Sequence, residues 1–159
     1  MLLLGHRLIY SLLLRNKYLE QMYLDGKMSL ELVPQGTLVE RMRAHGAGIP
    51  AFFTPTGAST TVETGGIPIR FNPGGFKNGV LIPGNKKEFR EFEGKRYIME
   101  PAIAGDVAFI HAWRADEAGN LVFRNVANNY NNAMARNARL VIVEVRVTGE
   151  FFYTGLITV

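Results

Sequence analysis

Pro34-Gln35-Gly36-Thr37 gathers a carboxamide, a glycine and a hydroxyl just ahead of the apolar pair Leu38-Val39. Thr37 and Glu40 have capping-box spacing, which predicts a helix from Thr37 through Leu38, Val39 and Met42 to a stop at Gly46. Amides behind Gln35 then point out of a helix N-terminus, where the macrodipole favours an anion such as a carboxylate. The Gln35 amide both accepts and donates, so it can grip a neighbouring carbonyl or hydroxyl and keep an N–H for a small oxoacid. On residue type alone, the simpler reading is a polar turn residue that satisfies local backbone.

Other chemistries find less support. Gly46-Ala47-Gly48 falls at the end of the predicted helix, whereas glycine-rich phosphate loops sit at helix starts, so the cluster reads as a helix stop followed by close packing. His6, His45 and His111 are far apart with no partner at ligand spacing, so no metal site is expected. No Gly-x-Ser-x-Gly elbow is present for serine hydrolysis. The asparagine-rich stretch Asn125 to Asn137 reads as a loop whose side chains cap backbone, with a binding loop as the alternative. Phe109 and Trp113 read as core rather than as a ligand platform.

The elements positioning these residues belong to one domain, since 159 residues support a single core. A composition of 47% apolar and 20% charged residues is that of a globular chain. The absence of cysteine removes disulfides, thiolate metal sites and a cysteine nucleophile together. The net charge of +4 comes largely from Arg7, Arg15 and Lys17, which leave 15 basic against 14 acidic residues beyond position 19. Without clustered lysine, arginine and aromatic residues, nucleic-acid binding is disfavoured. The opening 26 residues are too interrupted for a membrane span and are read as an amphipathic helix ending near Gly26, with a transit peptide as the alternative.

Beyond the Asp25-Gly26 turn, "MSLELV" alternates as a strand, and "IPAFF" forms another after the helix. Residues 54 to 95 are rich in proline and glycine and predict long turns, hairpin strands at "IPIRF" and "GVLIP", and a solvated charged face at "NKKEFREFEGK". Strands are expected at "RYIME", "GDVAFIHAWRAD", "LVFR" and "RLVIVEV". The run Leu140 to Val145 reads as a strand covered on both faces, as parallel sheets require. Strands interleaved with helices predict an α/β domain.

The segments "LVPQGTLVERMRAHGAGIPAFFTPTG", "GDVAFIHAWRADEAGNLVFR" and "ANNYN" resemble the first, or alpha, half of the family I CoA transferases, and within them the 3-oxoacid branch. The "PIRFN" to "REFEGK" stretch is similar to a longer connection in the mitochondrial members of that branch. The resemblance implies a three-layer domain with a mostly parallel sheet. It also implies transfer of CoA from succinyl-CoA to a 3-oxoacid such as acetoacetate through a glutamyl-CoA intermediate, in ketone-body catabolism.

The nucleophilic glutamate of the family lies in a Ser-Glu-Asn-Gly motif of the beta half that is absent here, so no catalytic residue is assigned in this chain, which is expected to be inactive alone. The glutamine of the family's Pro-Gln-Gly-Thr turn maps onto Gln35 and makes it the substrate-binding residue, reversing the reading from residue type. Thr37 and Glu40 carry over as capping residues. His45 stands where relatives have glycine, and Asn128 where arginine is typical.

The implied partners are a beta half, whether fused or a separate chain, a small carboxylic acid and an acyl-CoA. Coenzyme A thioester is a substrate, not a bound cofactor. The implied location is the mitochondrial matrix, or the cytoplasm for a bacterial chain. The family's glycine-rich signature belongs upstream, and "PGGF" at 73 to 76 is not it, so the first strand and that loop are expected to be missing. The resemblance covers residues 16–145. Residues 1–15 and 146–159 are expected to be unrelated to the family, and the chain to be a truncated product of marginal stability or a module that pairs with an intact enzyme.

Overall fold

The computed structural model describes residues 2–4, 7–11, 16–126 and 128–148. The chain divides into two compact units, one of residues 1–38 and 51–101 and the other of residues 39–50 and 102–159.

In the first unit, β1 (Leu2–Leu4) and β2 (Arg7–Tyr10) pair antiparallel, and β2 continues parallel onto β3 (Ser29–Leu32). The crossover between β2 and β3 carries α1 (Lys17–Leu24), capped by Asn16, whose side chain accepts from the Leu19 amide at 3.1 Å. The expected single amphipathic helix is therefore corrected: among the described residues the helix begins at Lys17, and the leucine-rich stretch before it is extended. Burial of Leu8 and Ile9 in the sheet outweighs the modest helical preference of leucine. Tyr23 packs with Leu8 and Leu30, lies 5.1 Å from the ring of Phe71, and donates its hydroxyl to the Pro68 carbonyl at 2.5 Å. Gly26, with φ of 72°, passes so close to Asn72 that a Cβ would stand 2.2 Å from its carbonyl oxygen.

The rest of this unit is antiparallel. β4 (Ala51–Thr54), β8 (Lys95–Pro101) and β7 (Phe89–Phe92) form a sheet in that order, and β5 (Arg70–Phe71) pairs with β6 (Val80–Ile82). β7 and β8 are joined by Glu93 and Gly94, both at positive φ, as a two-residue hairpin loop requires. The charged stretch is thus a strand, solvated as expected along all of β7. A short helix, α3 (Thr61–Thr64), lies in the preceding loop.

The division between the units falls within α2 (Gln35–Gly46), whose first four residues belong to the first unit and the remainder to the second. In the second unit, β9 (Gly105–Ala115) lies between β10 (Leu121–Val122), antiparallel, and β11 (Ala138–Thr148), parallel. α4 (Asn131–Asn137) crosses over one face, where Ala108, Ile110, Ala112, Leu121 and Ala135 form the core.

The α/β class holds, but the expected mostly parallel sheet does not. Among the described residues, parallel pairing is confined to β2 with β3 and β9 with β11, the pairs whose connection contains a helix. Glycine-rich turns elsewhere return the chain directly and give antiparallel neighbours. Coverage of both faces of Leu140 to Val145 is also corrected: Val141 and Val143 pack on the core, while Leu140 and Ile142 are exposed.

Candidate substrate-binding turn

α2 begins at Gln35, two residues earlier than the capping-box spacing predicts, because Pro34 occupies the position before the helix and its carbonyl accepts the first helical hydrogen bond, from Leu38 N at 3.0 Å. Thr37 is therefore the third helical residue and not the cap. Its side chain is buried and its hydroxyl meets no hydrogen-bond partner. Glu40 accepts from Arg43, with Nε to Oε2 at 2.8 Å, and does not reach back to a cap. The capping assignment of Thr37 and Glu40 is corrected on this geometry.

Gln35 itself is exposed, and among the described residues no hydrogen bond engages its carboxamide. The reading in which it satisfies local turn backbone thus has no bond to support it. Behind it stand the amides of Gly36 and Thr37, which precede the first intrahelical bond and lie at the positive end of the helix dipole. A Cβ at Gly36 would meet nothing within 4 Å, so local packing does not demand glycine there. This turn therefore presents an uncommitted donor and acceptor, free backbone donors and open space, a combination suited to a small carboxylate.

The other end of α2 is structural, as expected. A Cβ on Gly46 would sit 2.6 Å from the Arg136 carbonyl oxygen, and Gly48 holds a φ of 73°. His45 is exposed in the last turn of α2, and His111 is exposed on β9. His6 lies outside the described residues. Among the described residues no group of three histidines, cysteines or carboxylates could hold a metal, and no helix is long and apolar enough to cross a membrane.

The asparagine-rich segment bends through Asn125 and Asn129 at positive φ, and Asn131 N donates to the Asn128 carbonyl at 2.8 Å as α4 begins. Asn128 is exposed. Trp113 is half-buried, with the guanidinium of Arg114 4.1 Å and that of Arg124 5.3 Å from the centre of its ring system. Phe109 is exposed, so its expected place in the core is corrected.

Two buried ionic contacts carry no motif in the sequence. Glu63 on α3 is gripped by Arg96, and these bonds, with a further one from the Ser59 amide, hold its carboxyl below the usual glutamate range. Glu100 is fully buried and accepts from Lys87 Nζ at 2.6 Å. Its position in β8 offers a signal, because Glu100 shares the parity of the buried Ile98.

Comparison with known proteins agrees with this arrangement. A family model described as coenzyme A transferase matches residues 6–150, wider than the motif-bearing stretch. The chain is 48% identical over 139 residues to the mitochondrial succinyl-CoA:3-ketoacid coenzyme A transferase 2A of Rattus norvegicus, covering 87% of this chain and 26% of that protein. It is also 48% identical over 139 residues to the alpha subunit of the succinyl-CoA:3-ketoacid coenzyme A transferase of Xanthomonas campestris pv. campestris, covering 87% of this chain and 49% of that one. Among solved structures, an acyl-CoA transferase of Escherichia coli O157:H7, in its thioester complex with CoA, superposes with a TM-score of 0.62 at 22% identity, over 89% of this chain and 27% of that one. The chain thus spans about a quarter of the rat protein and about half of the bacterial one. The family match runs through the Gln35 turn, the glycine stop of α2 and the whole of β9 and β10, and by it the chain belongs to the coenzyme A transferase family.

Proposed function

We propose that this chain acts as part of the alpha domain of a CoA transferase that moves CoA from succinyl-CoA to a 3-oxoacid such as acetoacetate. The observation that carries the reading is Gln35, which opens α2 with its carboxamide uncommitted beside the free amides of the first turn. In this role the carboxamide and the first-turn amides orient the acid's carboxylate, and the open space at Gly36 admits it close to the backbone. The identity to succinyl-CoA:3-ketoacid transferases supports the substrate class.

The resemblance supplies the remaining chemistry from outside this chain. A glutamate of a beta domain attacks the acyl-CoA carbonyl and expels the CoA thiolate, leaving a mixed anhydride. The thiolate then attacks the glutamyl carbonyl, releases the first acid and forms the glutamyl-CoA thioester. The acceptor carboxylate reverses both steps, taking CoA and freeing the glutamate. A chain holding the acid but not the nucleophile is inactive alone.

The test is a CoA-transfer assay of the chain with and without the separately expressed beta chain of a bacterial succinyl-CoA:3-ketoacid transferase. Activity is expected in the mixture and not in the chain alone. Gln35→Ala is expected to raise KM for the acid about 5- to 100-fold, the loss of one or two hydrogen bonds to a charged group. An active mixture in which Gln35→Ala leaves both KM and kcat unchanged removes Gln35 from the site.

A further inference from the structure

The strands β9 and β11 run parallel, with Val107 beside Leu140 and Phe109 beside Ile142. These four side chains share the face opposite α4, and all are exposed, Phe109 at 73% and Leu140 at 55%. Trp113 lies further along the same face, beyond the adjacent pair His111 and Glu144. Parallel sheets are ordinarily covered on both sides, and a contiguous apolar patch on one is a contact surface. From Val107 to Trp113 it extends about 20 Å along the strand, the length of a helix of about 13 residues.

We infer that this face is the seat of an amphipathic helix contributed by the half of the alpha polypeptide that these 159 residues do not match. Two observations select that occupant. The chain aligns with only 49% of the Xanthomonas relative, so about half of that polypeptide has no counterpart in the aligned stretch. The face has the one-sided parallel geometry that a helix layer completes, with α4 already forming the layer on the other side. The contact is apolar over Val107, Phe109, Leu140 and Ile142, and polar where His111 adjoins Glu144. The inference rests on family membership and matched length and is independent of the transfer chemistry, so its test uses no activity.

Because the chain has no cysteine, single thiols report this face directly. Phe109→Cys and Ile142→Cys probe it, and Tyr18→Cys, on the exposed Tyr18 of α1, is the reference. Each variant is labelled under native conditions alone and after co-expression with the non-aligned half of the Xanthomonas alpha polypeptide. All three are expected to react freely in the chain alone. With the added polypeptide, labelling at 109 and 142 is expected to slow at least tenfold while that at 18 is unchanged. Unchanged labelling at 109 and 142 in the co-expressed sample overturns the inference. So does slow labelling in the dilute chain alone, which means the chain covers its own face. Protection that rises with the chain's own concentration also overturns it, by assigning the face to a second copy.

Discussion

Arg96 holds Glu63 with two parallel hydrogen bonds, Nη2 to Oε1 at 2.5 Å and Nε to Oε2 at 3.0 Å, and its guanidinium lies 3.3 Å from the centre of the Phe89 ring. One arginine thereby ties α3 and its loop to the β7–β8 hairpin. The fork favours the ionised carboxylate, so the folded pKa of Glu63 lies below its unfolded value. A depressed carboxyl pKa contributes stability that is present above the unfolded value and is lost as pH falls through the folded one. Glu63→Gln is therefore expected to melt below the parent at pH 7, and the gap to shrink as pH is lowered from about 5 toward 3. Thermal melts across that range measure it, and a gap independent of pH would remove the ion pair as its cause.

Two glycines of α2 separate packing from function. Gly46→Ala drives a Cβ against the Arg136 carbonyl oxygen, 2.6 Å away, and is expected to cost about 1–3 kcal/mol in urea unfolding. Gly36→Ala meets open space, and its better helix propensity is expected to leave stability unchanged or raised by up to about 1 kcal/mol. In the complemented enzyme the same Gly36→Ala is expected to lower kcat/KM for the acid at least tenfold, because its methyl fills the space assigned to substrate. Full activity with an unchanged fold would show that space to be idle.

The strands from "MSLELV" to "RLVIVEV" were legible because β-branched and aromatic runs bounded by turn residues carry their own signal. The start of α2 was misplaced because the Thr37-to-Glu40 spacing looks like a cap, while Pro34 fixes the helix entry two residues sooner. Leu2 to Leu14 read as helical because leucine suits either state and pairing with the later β3 decides. Parallel direction was over-assigned, since periodicity reports burial and not the partner's direction. Gln35 as a polar turn residue was visible, but its significance came from family likeness, because nothing in a lone glutamine distinguishes a ligand from a cap. The exposure of Phe109 and Ile142 was hidden, since a continuous apolar run is the same whether its second face is covered or waiting.

Lys87 and Glu100 form a buried pair at 2.6 Å, with Glu100 wholly enclosed and Lys87 nearly so. Lys87→Met is expected to strand a buried carboxylate and cost about 3–5 kcal/mol. The double variant Lys87→Met with Glu100→Met removes both charges and is expected to recover most of that loss, because the desolvation cost disappears with the attraction. A double-mutant cycle by urea unfolding measures the coupling, and simple additivity would mean that the pair contributes no specific interaction.

Phe109 and Ile110 are neighbours in β9 whose side chains leave opposite faces of the sheet, one exposed and the other enclosed against α4. Lysine at 110 would bury a charge in the cluster of Ala108, Ala112 and Leu121 and is expected to unfold the unit, a loss above about 4 kcal/mol. Lysine at 109 meets solvent, so its effect on the chain alone is expected to stay within about 0.5 kcal/mol. It is also expected to reduce self-association by breaking the apolar patch. Added to the co-expressed complex, the same change should weaken association by at least tenfold, because a charge would be buried beneath the seated helix. Urea unfolding of the two lysine variants and titration of the complex compare the faces within one strand. Equal destabilisation at 109 and 110 would mean that both sides of β9 are already enclosed by the chain itself.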